Sequence, residues 1–163
     1  MAVTTIKTIH KQKNKSVKSY LKERIAYITD DTKTENGKYV TSYMCDGATA
    51  HIEFNAMKNE YFMNTGRVQE SDVLAYQVIQ SFDEGVNSLC YAKSPTATAL
   101  FLGGEGKVTP ALANQIGVEL AQELTNGEHS FIVATHGNTS HIHNHIVFNS
   151  TNVDCQSKWK DVK

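Results

Sequence analysis

The sequence predicts an α+β fold, an antiparallel sheet with helices packed mainly on one face. Segments that alternate at period two and segments periodic at 3.6 follow one another in the order β-α-β-α-β-α-β-β. At 163 residues the chain can bury the core of one domain but is too short for a (β/α)₈ barrel of about 250. The short turn Gly137-Asn-Thr-Ser between the last two strands can fold one back beside the other.

A first strand is expected at Val3 to Ile9, then a lysine-rich loop and a helix from about Val17 to Ile28 with Ser16 as N-cap. Val17, Leu21, Ile25 and Ile28 form its buried stripe, and Tyr20, Arg24 and Tyr27 line the stripe's edge. Asn36-Gly37 marks a turn before a strand at Tyr39 to Met44. Ala50, Phe54, Met57 and Tyr61 make Ala48 to Asn64 a helix ended by Gly66, and its pattern is that of core packing. In a third strand, Val73 to Phe82, Gln77, Ile79 and Ser81 share one face. Thr109-Pro110 is cap and first turn for a helix at Ala111 to Leu124, stopped by Asn126-Gly127. The last strands fall at about 129 to 135 and 141 to 149. Residues 86 to 106 have no clear period and read as an insertion into a single domain spanning 1 to 163. After Asn149 the polar tail carries no closing element.

The net charge of -1 argues against a protein that coats nucleic acid generally. The basic residues are nevertheless clustered, with Lys7, Lys11, Lys13, Lys15, Lys18, Lys22 and Arg24 set against Glu23 alone. That asymmetry suits contact with a phosphate backbone, although a solvated helix face would look the same. Three widely spaced cysteines without a CxxC give neither a disulfide framework nor a zinc knuckle, and suit a reduced cytoplasm. No signal core or membrane-spanning run is present, so a soluble intracellular protein is expected.

Four of the seven histidines, His136, His141, His143 and His145, fall within ten residues. If 141 to 149 is a strand, alternation sends His141, His143 and His145 to one face, and the turn can fold His136 back beside them. Neutral imidazole is the commonest metal ligand near pH 7. A surface strand that happens to be rich in histidine is the alternative, but packing gives no reason for the alternating HxH.

Taken together, Ala26-Tyr27-Ile28-Thr29-Asp30, Ile79-Gln80-Ser81-Phe82 and Thr135-His136 through His141-Ile-His143-Asn-His145 resemble the MOBP-type relaxase/mobilisation nuclease family of the HUH endonucleases. The resemblance implies a five-stranded antiparallel sheet with the site at its centre. It further implies Tyr27 as nucleophile, Ser81 as a DNA contact near the nick, and His136, His143 and His145 holding a divalent ion, manganese or magnesium, with zinc as another option. The implied activity is site- and strand-specific nicking of single-stranded DNA at an origin of transfer in a bacterial cytoplasm, in company with relaxosome and coupling proteins. Lys11, Lys13, Lys15 and Arg24 are the basic residues expected to meet DNA. A phenol ionises only near pH 10, so a tyrosine nucleophile needs a base or a polarised phosphate.

The chain departs from the family pattern at Asn138, often Asp, and at Gln77, often His; both, with His141 and Tyr20, are expected to play at most a supporting part. Tyr20 is the alternative nucleophile. The chain also stops soon after the histidine strand, where relaxases continue, which reads as a truncated C-terminal region. Two other functions fit the same residues: a fragment that binds DNA or metal without cutting, and a small metal-dependent phosphodiesterase without a tyrosyl intermediate.

Overall fold

The computed structural model describes residues 3–67, 72–82, 108–138 and 141–159. Strands β1 (Val3–His10), β2 (Val40–Tyr43), β3 (Val73–Ser81), β4 (Phe131–His136) and β5 (His143–Asn149) alternate with helices α1 (Val17–Ile28), α2 (Ala50–Thr65) and α3 (Pro110–Thr125). The expected insertion at 86 to 106 lies outside the described residues.

Local chemistry sets the boundaries. Ser16 Oγ accepts from Ser19 N–H at 3.1 Å to start α1. Thr109 Oγ1 accepts from Leu112 N–H at 3.2 Å to start α3, with Pro110 in the first turn. Gly66 ends α2 at φ 66° and Asn126 ends α3 at φ 49°, left-handed positions that suit those two residues. Strand β2 starts one residue later than expected and ends at Tyr43, because Met44 has φ 52° and leaves the extended conformation. Strand β5 begins at His143, two residues later than expected.

All strand pairs are antiparallel, in the order β1-β3-β5-β4-β2, which places β5 at the centre. Two of the three helices among the described residues, α1 and α2, cover one face, where Leu21, Ile25, Ile28 and Phe54 pack on Ile132, Ala134 and Val147. The expected majority holds, but α3 covers the opposite face, where Ala121 meets Val133, Ile146 and Phe148. The sheet is therefore a middle layer. Its central strands are apolar on both sides, so alternation alone could not say how many helices each side receives. Gly117 lets α3 approach closely, since a Cβ there would lie 2.6 Å from Asn144 Nδ2 and 2.8 Å from Val133 Cγ1.

The segment after β5 corrects the expectation of an unclosed tail. Thr151 bridges Lys158. Trp159 donates from Nε1 to Leu124 C=O at 2.8 Å and packs edge-on against Tyr76 and Phe148. One indole at the end of a polar run carries no periodicity, so local pattern could not reveal that it docks.

Candidate metal centre

The histidines converge through strand register. His136 on β4 is the Cα partner of His143 on β5, and His145 follows two residues later on the same face. The ring centroids of His136 lie 5.0 Å from His143 and 4.6 Å from His145, and those of His143 and His145 are 5.1 Å apart. One ligand nitrogen from each lies within 4.8 Å of the others. Bonds of about 2.1 Å to a shared ion hold nitrogens no more than about 4.2 Å apart, so small side-chain rotations complete the fit.

Hydrogen bonds set the tautomers. His136 Nε2–H donates to Ile28 C=O at 2.8 Å, which leaves its lone pair on Nδ1. His143 Nδ1–H donates to His141 C=O at 3.0 Å, which puts its lone pair on Nε2. His145 Nδ1 lies 3.1 Å from Gln77 Nε2. An amide N–H donating there would place the ring proton on Nε2, whereas a half-turn of the Gln77 amide lets Oε1 accept Nδ1–H and turns the lone pair of Nε2 to the site. Burial, then the neighbouring His136 and His143, pushes His145 down to about 3. Burial also lowers His136, outweighing the carbonyl of Ile28. Both rings are therefore neutral near pH 7, the state a metal requires.

Tyr27 sits one residue before the end of α1 and is 57% exposed. Its ring meets His145 edge-on at 6.3 Å, with Lys33 Nζ 3.8 Å from the ring centroid. Tyr20, two turns earlier, is buried, and its hydroxyl accepts from Arg24 Nη2 at 3.0 Å. The two tyrosines expected to share an edge thus differ in access to solvent, and Arg24 is engaged with the buried one. Ser81 closes β3 as the Cα partner of His143, on the histidine face.

Other candidates fall elsewhere. His141 precedes β5 and is not part of the three-histidine cluster; its carbonyl accepts from His143. Asn138 donates to Thr32 C=O at 3.0 Å, so it ties down the loop after α1. Lys15 pairs with Glu23 at 2.6 Å. Lys11 and Lys13 line a cavity at the other end of the histidine face. Lys33 and the carbonyl of Ile28 were missed from sequence: the first sits in a turn-rich loop without period, and a backbone acceptor carries no side-chain signal.

The family model described as "Relaxase: MobA/VirD2-like, nuclease domain" matches residues 98–163, which include all three histidines. The chain is 29% identical over 168 residues to the "Group II intron-interrupted relaxase LtrB" of Lactococcus lactis subsp. cremoris (strain MG1363), across 90% of this chain and 26% of that protein. It is 42% identical over 57 residues to a "Protein rlx" of Staphylococcus aureus, across 35% of this chain and 17% of that protein. A second "Protein rlx" of that organism is 33% identical over 95 residues, 58% of this chain and 23% of the relative. The chain thus spans about a quarter or less of the length of these relatives. Its curated homologues are relaxases, and its C-terminal part matches the relaxase nuclease domain, in agreement with the resemblance drawn from the three motifs.

Proposed function

We propose that the chain is a metal-dependent, site- and strand-specific DNA nickase and strand transferase that acts at an origin of transfer. The observation that carries this reading is the exposed Tyr27 standing edge-on to His145 beside three convergent imidazoles. Tyr27 Oη loses its proton and forms a bond to phosphorus. The bond from phosphorus to the 3′ oxygen breaks, and that oxygen takes up a proton. The products are a 5′-phosphotyrosyl DNA and a free 3′-hydroxyl, so the bond energy is retained for rejoining.

A divalent ion on the triad, when bound, supplies Lewis-acid polarisation of the phosphate. The protein's own part is to orient and to hold charge. Packing of α1 on the sheet fixes the base of the Tyr27 ring, and Lys33 across that ring adds positive charge where an anionic phosphate arrives. Asn138 spends its amide on the Thr32 carbonyl, so no carboxylate at that position polarises a ligand histidine. That favours weaker metal binding, and with it the second reading of a fragment that binds without cutting.

The test is covalent trapping with labelled single-stranded origin DNA and Mn²⁺, followed by peptide mapping. DNA attached at Tyr27 is expected. Attachment at Tyr20 would reassign the nucleophile, hydrolysis of phosphodiesters without an adduct would favour the phosphodiesterase, and folded, metal-loaded protein that neither cuts nor forms an adduct would favour the binding fragment.

A further inference from the structure

A cavity of about 520 Å³ lies between the start of α1, one face of α2 and the start of β3. Among the described residues it is lined by Lys11, Lys13, Lys58, Arg67 and Lys158, with Asp72 as the one carboxylate. Asp72 is engaged with Lys158 at 2.6 Å, and among the described residues Lys11, Lys13 and Arg67 have no ion pair. Lys58 donates from Nζ to Asn149 Oδ1, to Ser150 Oγ at 3.1 Å and to Thr151 Oγ1 at 3.4 Å. All three acceptors are neutral, so its hydrogen bonds bring no opposite charge. Burial, and then the nearby Lys158, pulls Lys58 down to about 7 against the opposing attraction of Asp72, as enclosure does to an ammonium.

The walls say what kind of anion fits. On α2, Asn55, Lys58, Asn59 and Phe62 stand at i, i+3, i+4 and i+7, one face of the helix, and all four line the cavity. Phe62 is 45% exposed, an open aromatic surface on which a base can stack. The amides of Asn55 and Asn59 make no hydrogen bond among the described residues, which leaves donors and acceptors for a base edge. Cations, an aromatic platform and two amides on one wall match phosphate, base face and base edge. Inorganic phosphate would use only the first of these.

We infer that this cavity is a nucleotide-binding site, taking one phosphate-bearing nucleotide of a DNA strand away from the histidine triad. His145 and Asn149 are four residues apart on β5, about 13 Å at ~3.3 Å per residue, so the two sites lie within a few nucleotides of each other at opposite ends of the face that α1 and α2 cover, and a strand that reaches both passes around those helices. The choice of a strand over a free nucleotide rests on the proposed function; the cavity chemistry does not.

The experiment uses the full chain carrying Tyr27→Phe, so that binding is read without nicking. A 5′-phosphorylated thymidine dinucleotide is expected to shift the Phe62 ring and Lys58 Nζ resonances. Arg67→Ala and Phe62→Ala should each weaken it by about fivefold or more while Mn²⁺ titration is unchanged. A twelve-nucleotide single strand should bind more tightly than the dinucleotide and lose affinity in the same two variants. No resonance shift, inorganic phosphate binding as tightly as the dinucleotide, or an unaffected Phe62→Ala variant would overturn the site. Thymidine monophosphate binding as tightly as the twelve-nucleotide strand would overturn the strand as its source. Loss of cavity binding with an intact Tyr27 adduct in wild type defeats this inference alone; cavity binding without any adduct defeats only the nicking mechanism.

Discussion

Strands β4 and β5 carry polar side chains on both faces of the sheet, and the two sets are finished differently. On the α3 side, Asn144 Nδ2 donates to Gln80 Oε1 at 2.9 Å and to Ala113 C=O at 2.6 Å, while its Oδ1 accepts from Thr135 Oγ1 at 2.7 Å. Every polar atom of that side chain has a protein partner, and it is fully buried. On the α1 side, His136 and His143 each spend their N–H on a backbone carbonyl and turn a lone pair toward one point. Buried polarity closed by the protein holds the fold together, whereas buried polarity finished on one atom and directed on the other is arranged for a ligand.

The sharpest break of this contrast is Tyr27→Phe. The ring packing persists without the oxygen, so the covalent DNA adduct should vanish while melting temperature and Mn²⁺ affinity hold. Tyr20→Phe should keep the adduct, because the hydroxyl it removes is buried against Arg24.

The next pair separates the two faces directly. Asn144→Ala strands the Gln80, Ala113 and Thr135 groups and should lower stability by about 3 kcal/mol in chemical denaturation. The variant that remains folded should bind Mn²⁺ as wild type does. His143→Ala should do the reverse, weakening Mn²⁺ by about tenfold or more with a stability change under about 1 kcal/mol. Equal effects of the two substitutions on metal affinity would erase the distinction between the faces.

Gln77 tests how the histidine face is finished. With the Gln77 amide turned so that Oε1 faces His145, Gln77→Leu removes the acceptor for Nδ1–H and should weaken Mn²⁺ by about tenfold, with the ¹⁵N shifts of His145 moving to the other tautomer. Gln77→Glu can only accept and should restore both. A leucine variant that leaves the tautomer and affinity unchanged would show that Gln77 merely fills space.

The last comparison lies at the far end of the same face. Lys58 is depressed to about 7 from an ordinary 10.5, so between those values the unfolded chain holds a proton that the folded chain has released. Its contribution to stability therefore rises as pH climbs from about 7 to about 10.5 and falls as pH drops through that window, by at most about 1.4 kcal/mol per pH unit. Lys58→Met should flatten that slope in denaturation curves taken at pH 7 and pH 9. A slope that survives the substitution would place the titrating group elsewhere.

What could be read without coordinates was whatever local pattern encodes. The caps Ser16 and Thr109, the stops Gly66 and Asn126, the alternation of β3 and the HxH of β5 each express a constraint between residues a few positions apart, so helix and strand assignments followed from them. Which of two tyrosines meets solvent was decided by tertiary packing, because Arg24 and the core around Phe54 enclose Tyr20 and leave Tyr27 beside His145. The lone pair of His136 is directed by the carbonyl of Ile28, 108 residues away in sequence, and Lys58 is enclosed by Asn149, 91 residues away. Hydrogen-bond partners of that separation leave no periodic trace, since nothing in the local conformation of either residue depends on the other until the sheet has formed.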